Sequence, residues 1–153
     1  MKLLLVFATL NAAMKPTLSP YLTFDGKTAE AMKFYQSVLG GELRMQTFEE
    51  SAVPTTPEDK DKIVHADLKN DSLSFMASDG NEEKPVKMMG DTIQLSIVGS
   101  DEALLTKYFN RLAEDGKVDL PLAKQFWGDV YGQLTDKFGV HWMVNITSDQ
   151  AKK

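Results

Sequence analysis

The chain runs to 153 residues with a formal net charge of −5. That length suits one compact domain, or two small modules sharing one core. The acidic balance, without a basic patch interleaved with aromatics, argues against a nucleic-acid partner. Cysteine is absent, which removes disulfides, thiolate zinc sites and cysteine nucleophiles together. Only His65 and His141 supply imidazole. A metal site would need both, or would lean on carboxylates.

Residues 1–15 read as an extension. Met1-Lys2 followed by the apolar run Leu3–Leu10 is signal-like, but Asn11 spoils the cleavage site. A start placed upstream of a functional Met14 is a second reading, and a short strand or helix is a third. The apolar run is too short to cross a bilayer, so no membrane partner is expected.

Pro20–Phe24 reads as a short strand, and Asp25-Gly26 as a turn. Lys27–Leu39 reads as a helix because Ala31, Met32, Tyr35, Val38 and Leu39 fall on one stripe. Gly40-Gly41 ends it. Glu42–Phe48 alternates as a strand. Glu50–Asp61, with two prolines and several acids, reads as a mobile loop. Ile63–Lys69 and Leu73–Ser78 form a hairpin around Asn70-Asp71, and Asp79–Gly90 is a second polar loop.

The pattern then repeats. Thr92–Val98 is a strand. Ser100 or Asp101 caps a helix through Ala113 whose buried stripe is Leu104, Leu105, Tyr108, Phe109 and Leu112. Val118–Leu122 is a strand. The run Phe126–Asn145 supplies two more strands around a tight turn at Asp136–Gly139. The chain is thus β-α-β-β-β written twice, with a period of about seventy residues. The tail 148–153 is polar.

The layout resembles the vicinal-oxygen-chelate superfamily, which includes glyoxalase I, the bleomycin-resistance proteins and the extradiol dioxygenases. It is most similar to the PhnB-like branch. The resemblance is carried by Ser19–Phe24, Phe34-Tyr35, Val64–Leu68, Met76–Asp79, Phe126-Trp127-Gly128 and Thr135–Val140, and it covers residues 16–147. It implies an α+β fold of two tandem βαβββ modules, 16–80 and 90–147. Their mixed and antiparallel strands would curl around a cleft, usually in a homodimer. In metal-dependent members the ligands come from inward positions on the first and last strand of each module. Here those positions fall near Pro20, Met76, Thr92 and Met143. Thioether, hydroxyl and proline are poor substitutes for imidazole or carboxylate. The expected metal ligands are therefore none, and a divalent metal is disfavoured. A ubiquinone-pathway methyltransferase, also suggested by this branch, would normally bind S-adenosylmethionine through a glycine-rich turn opening a Rossmann helix. No such turn is present, and no cofactor is expected.

Side chains alternate across a strand, so parity sorts each strand into a helix-covered and an open face. On the open face fall His65 and Asp67; Ser74 and Met76; Thr92 and Gln94; Tyr131 and Gln133; and His141, Met143 and Asn145. A solvated antiparallel sheet would show the same alternation. His65 is the candidate acid or base, because imidazole titrates near neutral pH, with Asp67 to orient it. Tyr21 and Trp127 are candidate aromatic walls, and Met76 and Met143 an adaptable apolar lining. Met88-Met89 is a candidate lid or dimer contact. The expectation is a cytoplasmic protein binding a small molecule in the cleft. The alternative is an enzyme using His65 on a small carbonyl or oxyanion substrate, as a lyase, isomerase or related catalyst, with or without a divalent metal.

Overall fold

The computed structural model describes residues 19–80, 86 and 93–148. The extension, most of the 79–90 loop with Met88 and Met89, the tail and Thr92 lie outside them. The first module contains β1 (Tyr21–Phe24), α1 (Thr28–Leu39), β2 (Glu42–Thr47), α2 (Phe48–Ser51), β3 (Ile63–Lys69) and β4 (Ser74–Asp79). The second contains β5 (Leu95–Gly99), α3 (Glu102–Leu112), β6 (Lys117–Lys124), β7 (Val130–Thr135) and β8 (His141–Ile146). Each module folds its strands into one open four-stranded sheet, in the orders β1-β4-β3-β2 and β5-β8-β7-β6. The outer first strand runs parallel to the last, and the remaining pairs are antiparallel. The expected tandem βαβββ architecture is therefore present, as two mixed sheets that do not close.

α1 buries the stripe its sequence announces: Ala31, Met32, Tyr35, Val38 and Leu39 are all buried. Lys27, at its N-cap, makes no side-chain cap. Asp79, from the end of β4, takes over that task. Its Oδ1 accepts from Thr28 N–H at 3.0 Å and its Oδ2 from Ile63 N–H at 2.8 Å. One carboxylate so satisfies an orphan helix donor and a strand donor. α3 is capped by Asp101, which accepts from Leu104 N–H at 3.0 Å. Its buried stripe is narrower than predicted. Leu105, Phe109 and Leu112 are buried, Tyr108 is half-buried, and Leu104 is exposed. Positions i, i+4 and i+7 suffice because α3 covers its sheet with a single stripe.

Tyr35 is fully buried at the centre of the core. Its ring meets Phe75, Phe138 and Trp142 with centroids 5.7, 6.0 and 5.6 Å away. Such pairs contribute about 0.5–1.5 kcal/mol each beyond area burial. Its hydroxyl donates to Asp136 Oδ2 at 2.7 Å. The same oxygen accepts from Trp142 Nε1–H at 2.9 Å. Asp136 Oδ1 accepts from the N–H groups of Phe138 and Val140 at 2.9 and 3.0 Å. Burial first, and the Asp136 carboxylate second, push the Tyr35 phenol far above its ordinary pKa, so it stays a donor. This clasp, and Arg111 Nη1 donating to the Ser37 carbonyl at 2.7 Å, join the two modules on their helical side.

Several boundaries differ from the sequence reading. β2 stops at Thr47 because Phe48 opens α2, and the stretch read as a mobile loop begins with this turn. Thr47 and Glu50 form a reciprocal capping box: Glu50 N–H donates to Thr47 Oγ1 at 3.1 Å, and Thr47 N–H to the Glu50 carboxylate at 2.9 Å. Further along the same stretch Asp59 is buried and paired with Lys62 at 2.7 Å. β5 begins at Leu95, with Ile93 and Gln94 outside it, and β6 extends to Lys124. Phe126–Gly128 lies in the connection before β7, not on a strand.

Candidate functional site on the open sheet faces

The helices pack on one face of each sheet, so alternate residues on every strand point the other way. On the first sheet Tyr21 and His65 are exposed, and Met76 is half-buried. On the second, His141, Met143 and Asn145 of β8 and Tyr131, Gln133 and Thr135 of β7 are all half-buried. The β7–β8 register pairs them as Tyr131 with Asn145, Gln133 with Met143, and Thr135 with His141.

The second face carries the better-defined chemistry. A hollow of about 380 Å³ is lined by Gln94, Lys117, Asp119, Gln133, Thr135 and His141, with Leu134 and Trp142 behind them. Thr135 Oγ1 donates to Asp119 Oδ2 at 2.6 Å and lies 2.9 Å from His141 Nδ1. A threonine hydroxyl has one proton, and here a carboxylate takes it. In the neutral imidazole the network therefore assigns the proton to Nδ1, donating to Oγ1, and the ring's lone pair to Nε2. Lys117 Nζ sits 2.9 Å from Asp119 Oδ1. The Thr135 hydroxyl, followed by Lys117, holds the Asp119 carboxyl below its ordinary pKa.

Toward the other end of β7, Gln133 Nε2–H donates to the Tyr131 hydroxyl at 2.7 Å. Trp127 stands edge-on to Tyr131 with centroids 5.8 Å apart. Asn145 Nδ2–H donates to Asp129 Oδ2 at 2.8 Å. Tyr131, Gln94, Trp127, His141, Met143 and Asn145, all read from the sequence as ligand-facing, therefore belong to one sheet and its flanking loop. Asp119, Thr135, Lys117 and Asp129 were not singled out. Parity with Tyr131 and Gln133 marks Thr135. Asp119 carries no such signal, because the β6–β7 register shifts twice along its length.

Tyr21, His65, Asp67, Ser74 and Met76 lie on the first sheet, apart from the hollow. His65 Nδ1 is 3.5 Å from the Tyr21 hydroxyl, with the rings 6.0 Å apart. Among the described residues Asp67 makes no hydrogen bond to His65. It lies opposite Arg44 and Met76 in the strand registers. Residues two apart on a strand share a face but stand about 6.6 Å apart along it, so parity alone does not bring carboxylate to imidazole. The two candidate aromatic walls also separate, with Tyr21 on the first sheet and Trp127 beside the second.

Met76 pairs with Tyr21 and Met143 with Ser96 across the parallel strand pairs. The residue facing Met76 is thus Tyr21 rather than Pro20, whose carbonyl accepts from Met76 N–H at 3.0 Å. Thioether, phenol and hydroxyl do not form the imidazole and carboxylate set a divalent metal of this fold uses. Among the described residues no three His, Asp or Glu side chains converge. The described residues at these positions do not fit the superfamily's metal.

Comparison with known proteins agrees with this architecture. A sequence profile for a family described as 3-demethylubiquinone-9 3-methyltransferase matches residues 16–145. Protein YjdN of Escherichia coli K12 is 30% identical over 145 residues, which cover 87% of this chain and 97% of that protein. The crystal structure of PA1353 from Pseudomonas aeruginosa is 37% identical, with a TM-score of 0.78 over 88% of this chain and all of that one. A PhnB protein from Bacillus cereus, described as a putative 3-demethylubiquinone-9 3-methyltransferase, shares the fold at 22% identity and a TM-score of 0.67, over 86% of this chain and 100% of that one. Solved glyoxalase/bleomycin-resistance/dioxygenase proteins share it too. With this profile over most of its length, the chain belongs to the PhnB-like family, described as 3-demethylubiquinone-9 3-methyltransferase, and its tandem βαβββ modules share the fold of the glyoxalase/bleomycin-resistance/dioxygenase proteins.

Proposed function

We propose that this chain binds a small molecule on the open face of its second sheet, as the seat of the cleft its fold provides, without a resident metal. The hollow beside His141 carries the reading. It gathers amides, a hydroxyl, a carboxylate, an ammonium and an imidazole over the strand positions of Leu134 and Trp142, whose side chains turn into the core. A concavity on which several polar groups converge is the default place to look for a small-molecule site. The methionines at the metal positions support the absence of metal chemistry, since a thioether holds hard divalent ions poorly. Methyl transfer from S-adenosylmethionine gains no support from two mixed four-stranded sheets without a glycine-rich turn opening a parallel βαβ unit.

Thermal-shift screening with a library of small polar fragments tests this reading. Fragments that raise the melting temperature of the wild type should lose that effect in Gln133→Ala and His141→Ala and keep it in His65→Ala. Equal shifts in all four proteins would sink the assignment of the site. Metal analysis of protein purified without chelator should find less than stoichiometric divalent ion.

A catalytic reading has one observation in its favour: the Asp119–Thr135–His141 chain, which orients an imidazole as a general base requires. His65 remains a candidate acid or base, in an exposed setting beside Tyr21. Turnover lost in His141→Ala but retained in His65→Ala would favour the second sheet, and the reverse would favour the first. The exposed first face is also the surface we propose to be covered in a homodimer, which sedimentation velocity would detect as a single species of twice the chain mass.

A further inference from the structure

We infer that the ligand of the second sheet is a flat aromatic molecule carrying a neutral hydrogen-bond acceptor, its ring on Trp127 and its acceptor at the Tyr131 hydroxyl. This rests on the binding reading above and extends it along β7, from Gln133 in the hollow to Tyr131 and Trp127 beside it.

The aromatic half of the argument comes from the connection before β7. Trp127 leaves 49% of its surface exposed, and Phe126 beside it leaves 97%. The two rings meet at 90° with centroids 4.9 Å apart, and Trp127 meets Tyr131 at 65° and 5.8 Å. Both contacts are T-shaped, so neither lays a ring parallel on the indole, and about half of the Trp127 surface stays exposed. A flat ring laid on such a face recovers apolar area and the quadrupole contact that aromatic pairs prefer.

The acceptor half comes from counting protons. Gln133 Nε2–H donates to the Tyr131 oxygen at 2.7 Å. The phenol's single proton therefore points elsewhere, and among the described residues no acceptor takes it. A half-buried hydroxyl gains most from an acceptor that replaces water at that position. The neighbouring polar groups do not call for a charged ligand. Asp119 holds the Thr135 proton and also pairs with Lys117, so among the described residues lining the hollow the carboxylate and the ammonium offset each other. His141 Nδ1 is engaged by Thr135. What this face offers beside the indole is thus a neutral donor. That selects an aryl ketone, amide or ester over an aryl carboxylate.

The experiment uses the full chain, labelled with ¹⁵N, and three probes of similar size: 2-acetylnaphthalene, 2-naphthoate and cyclohexyl methyl ketone. 2-Acetylnaphthalene should move the Trp127 indole N–H and the Gln133 side-chain amide signals, and bind most tightly of the three. Tyr131→Phe should weaken it by about five- to tenfold, the loss of one hydrogen bond, while leaving the Trp127 perturbation in place. Trp127→Leu, at a half-exposed position in the connection before β7, should weaken it further.

Tighter binding of 2-naphthoate, or equal binding of the aliphatic ketone, would overturn the inference. So would an unchanged affinity in Tyr131→Phe, or a Trp127 signal that ignores every probe because a second copy covers it. If the probes fail while a polar fragment from the thermal screen still moves His141 and Gln133, this inference falls and the binding reading stands. If no compound of any class moves signals on β7 or β8, both fall.

Discussion

The two modules turn their last hairpins with the same device and different chemistry. Between β3 and β4, Asn70 Oδ1 accepts from the N–H groups of Ser72 and Leu73 at 2.8 and 2.9 Å, and its Nδ2 donates to the Leu39 carbonyl at 3.2 Å. Between β7 and β8, Asp136 Oδ1 accepts from Phe138 and Val140, but Oδ2 faces the core and takes Tyr35 and Trp142. Both residues build an Asx turn. The amide ties its hairpin to the end of its own module's helix. The carboxylate reaches across to the other module's helix. The first turn is thus a local fastening and the second is the hinge-pin of the whole core.

Substitution should separate them sharply. Asp136→Ala leaves four donors without their acceptor, two of them buried side chains, and is expected to cost more than about 4 kcal/mol in urea unfolding. Asn70→Ala removes bonds at a half-buried turn and should cost about 1–2 kcal/mol. Asp136→Asn sharpens the test. An amide can serve the turn through its oxygen, but its NH₂ would then face the Trp142 N–H. It should therefore remain strongly destabilising, whereas Asn70→Asp, which sets a carboxylate oxygen against the Leu39 carbonyl at a half-buried turn where water can enter, should cost less. Similar costs for the two exchanges would mean that Asp136 is a turn residue and nothing more.

Tyr35→Phe asks how much of the clasp crosses between modules. It keeps the ring contacts and removes one hydrogen bond to a buried carboxylate, for which about 1.5–3 kcal/mol is expected. Combined with Trp142→Phe, which removes the second donor to the same oxygen, the losses should be non-additive, because the two donors share one acceptor. Additive losses would show that they act independently.

A milder contrast sits where the helices meet the sheets. Gly132 on β7 pairs with Val144, as Ala66 on β3 pairs with Ala77. A Cβ at Gly132 would lie 2.8 Å from the Phe109 ring and 3.0 Å from the Leu120 carbonyl, so Gly132→Ala should overpack and cost about 1–3 kcal/mol. Ala66 already carries that carbon at zero exposure. Ala66→Gly should cost about 0.5–1 kcal/mol through chain entropy. A stabilised Gly132→Ala would mean that α3 can shift where α1 cannot.

The duplicated fold was legible because it rests on local periodicity. The α1 stripe, the strand alternation and the turn at Asp136 all act within a few residues, and parity assigned Tyr131, His141, Met143 and Asn145 to one face. What was not legible depended on partners distant in the chain. Nothing near Asp136 in sequence announces Tyr35, 101 residues away. Nothing places Asp119 beside Thr135, since the β6–β7 pairing shifts register. The Thr47–Glu50 capping box is a local feature that the strand and loop readings on either side of it pass over. The sequence stripe of α3 takes in the exposed Leu104 because a stripe has no visible edge until its sheet is known.

The smallest predicted effect concerns the two imidazoles, and it is one of titration rather than stability. Asp119 is held below its ordinary pKa by Thr135 first and Lys117 second. A depressed carboxylate pKa means that its contribution is present above the unfolded value and is lost as pH falls through the folded one. The Asp119–Thr135–His141 chain should therefore persist through neutral pH and come apart only in acid, below the usual aspartate range. Thr135→Val removes the hydroxyl and keeps the shape. Asp119 should then titrate closer to an ordinary aspartate by ¹³C NMR, and the His141 ring ¹⁵N shifts should lose the fixed Nδ1–H pattern. Neither change should appear at His65, whose nearest partner is the Tyr21 hydroxyl at 3.5 Å. An Asp119 titration unmoved by Thr135→Val would place the source of its shift in Lys117 and leave His141 as loosely held as its counterpart on the first sheet.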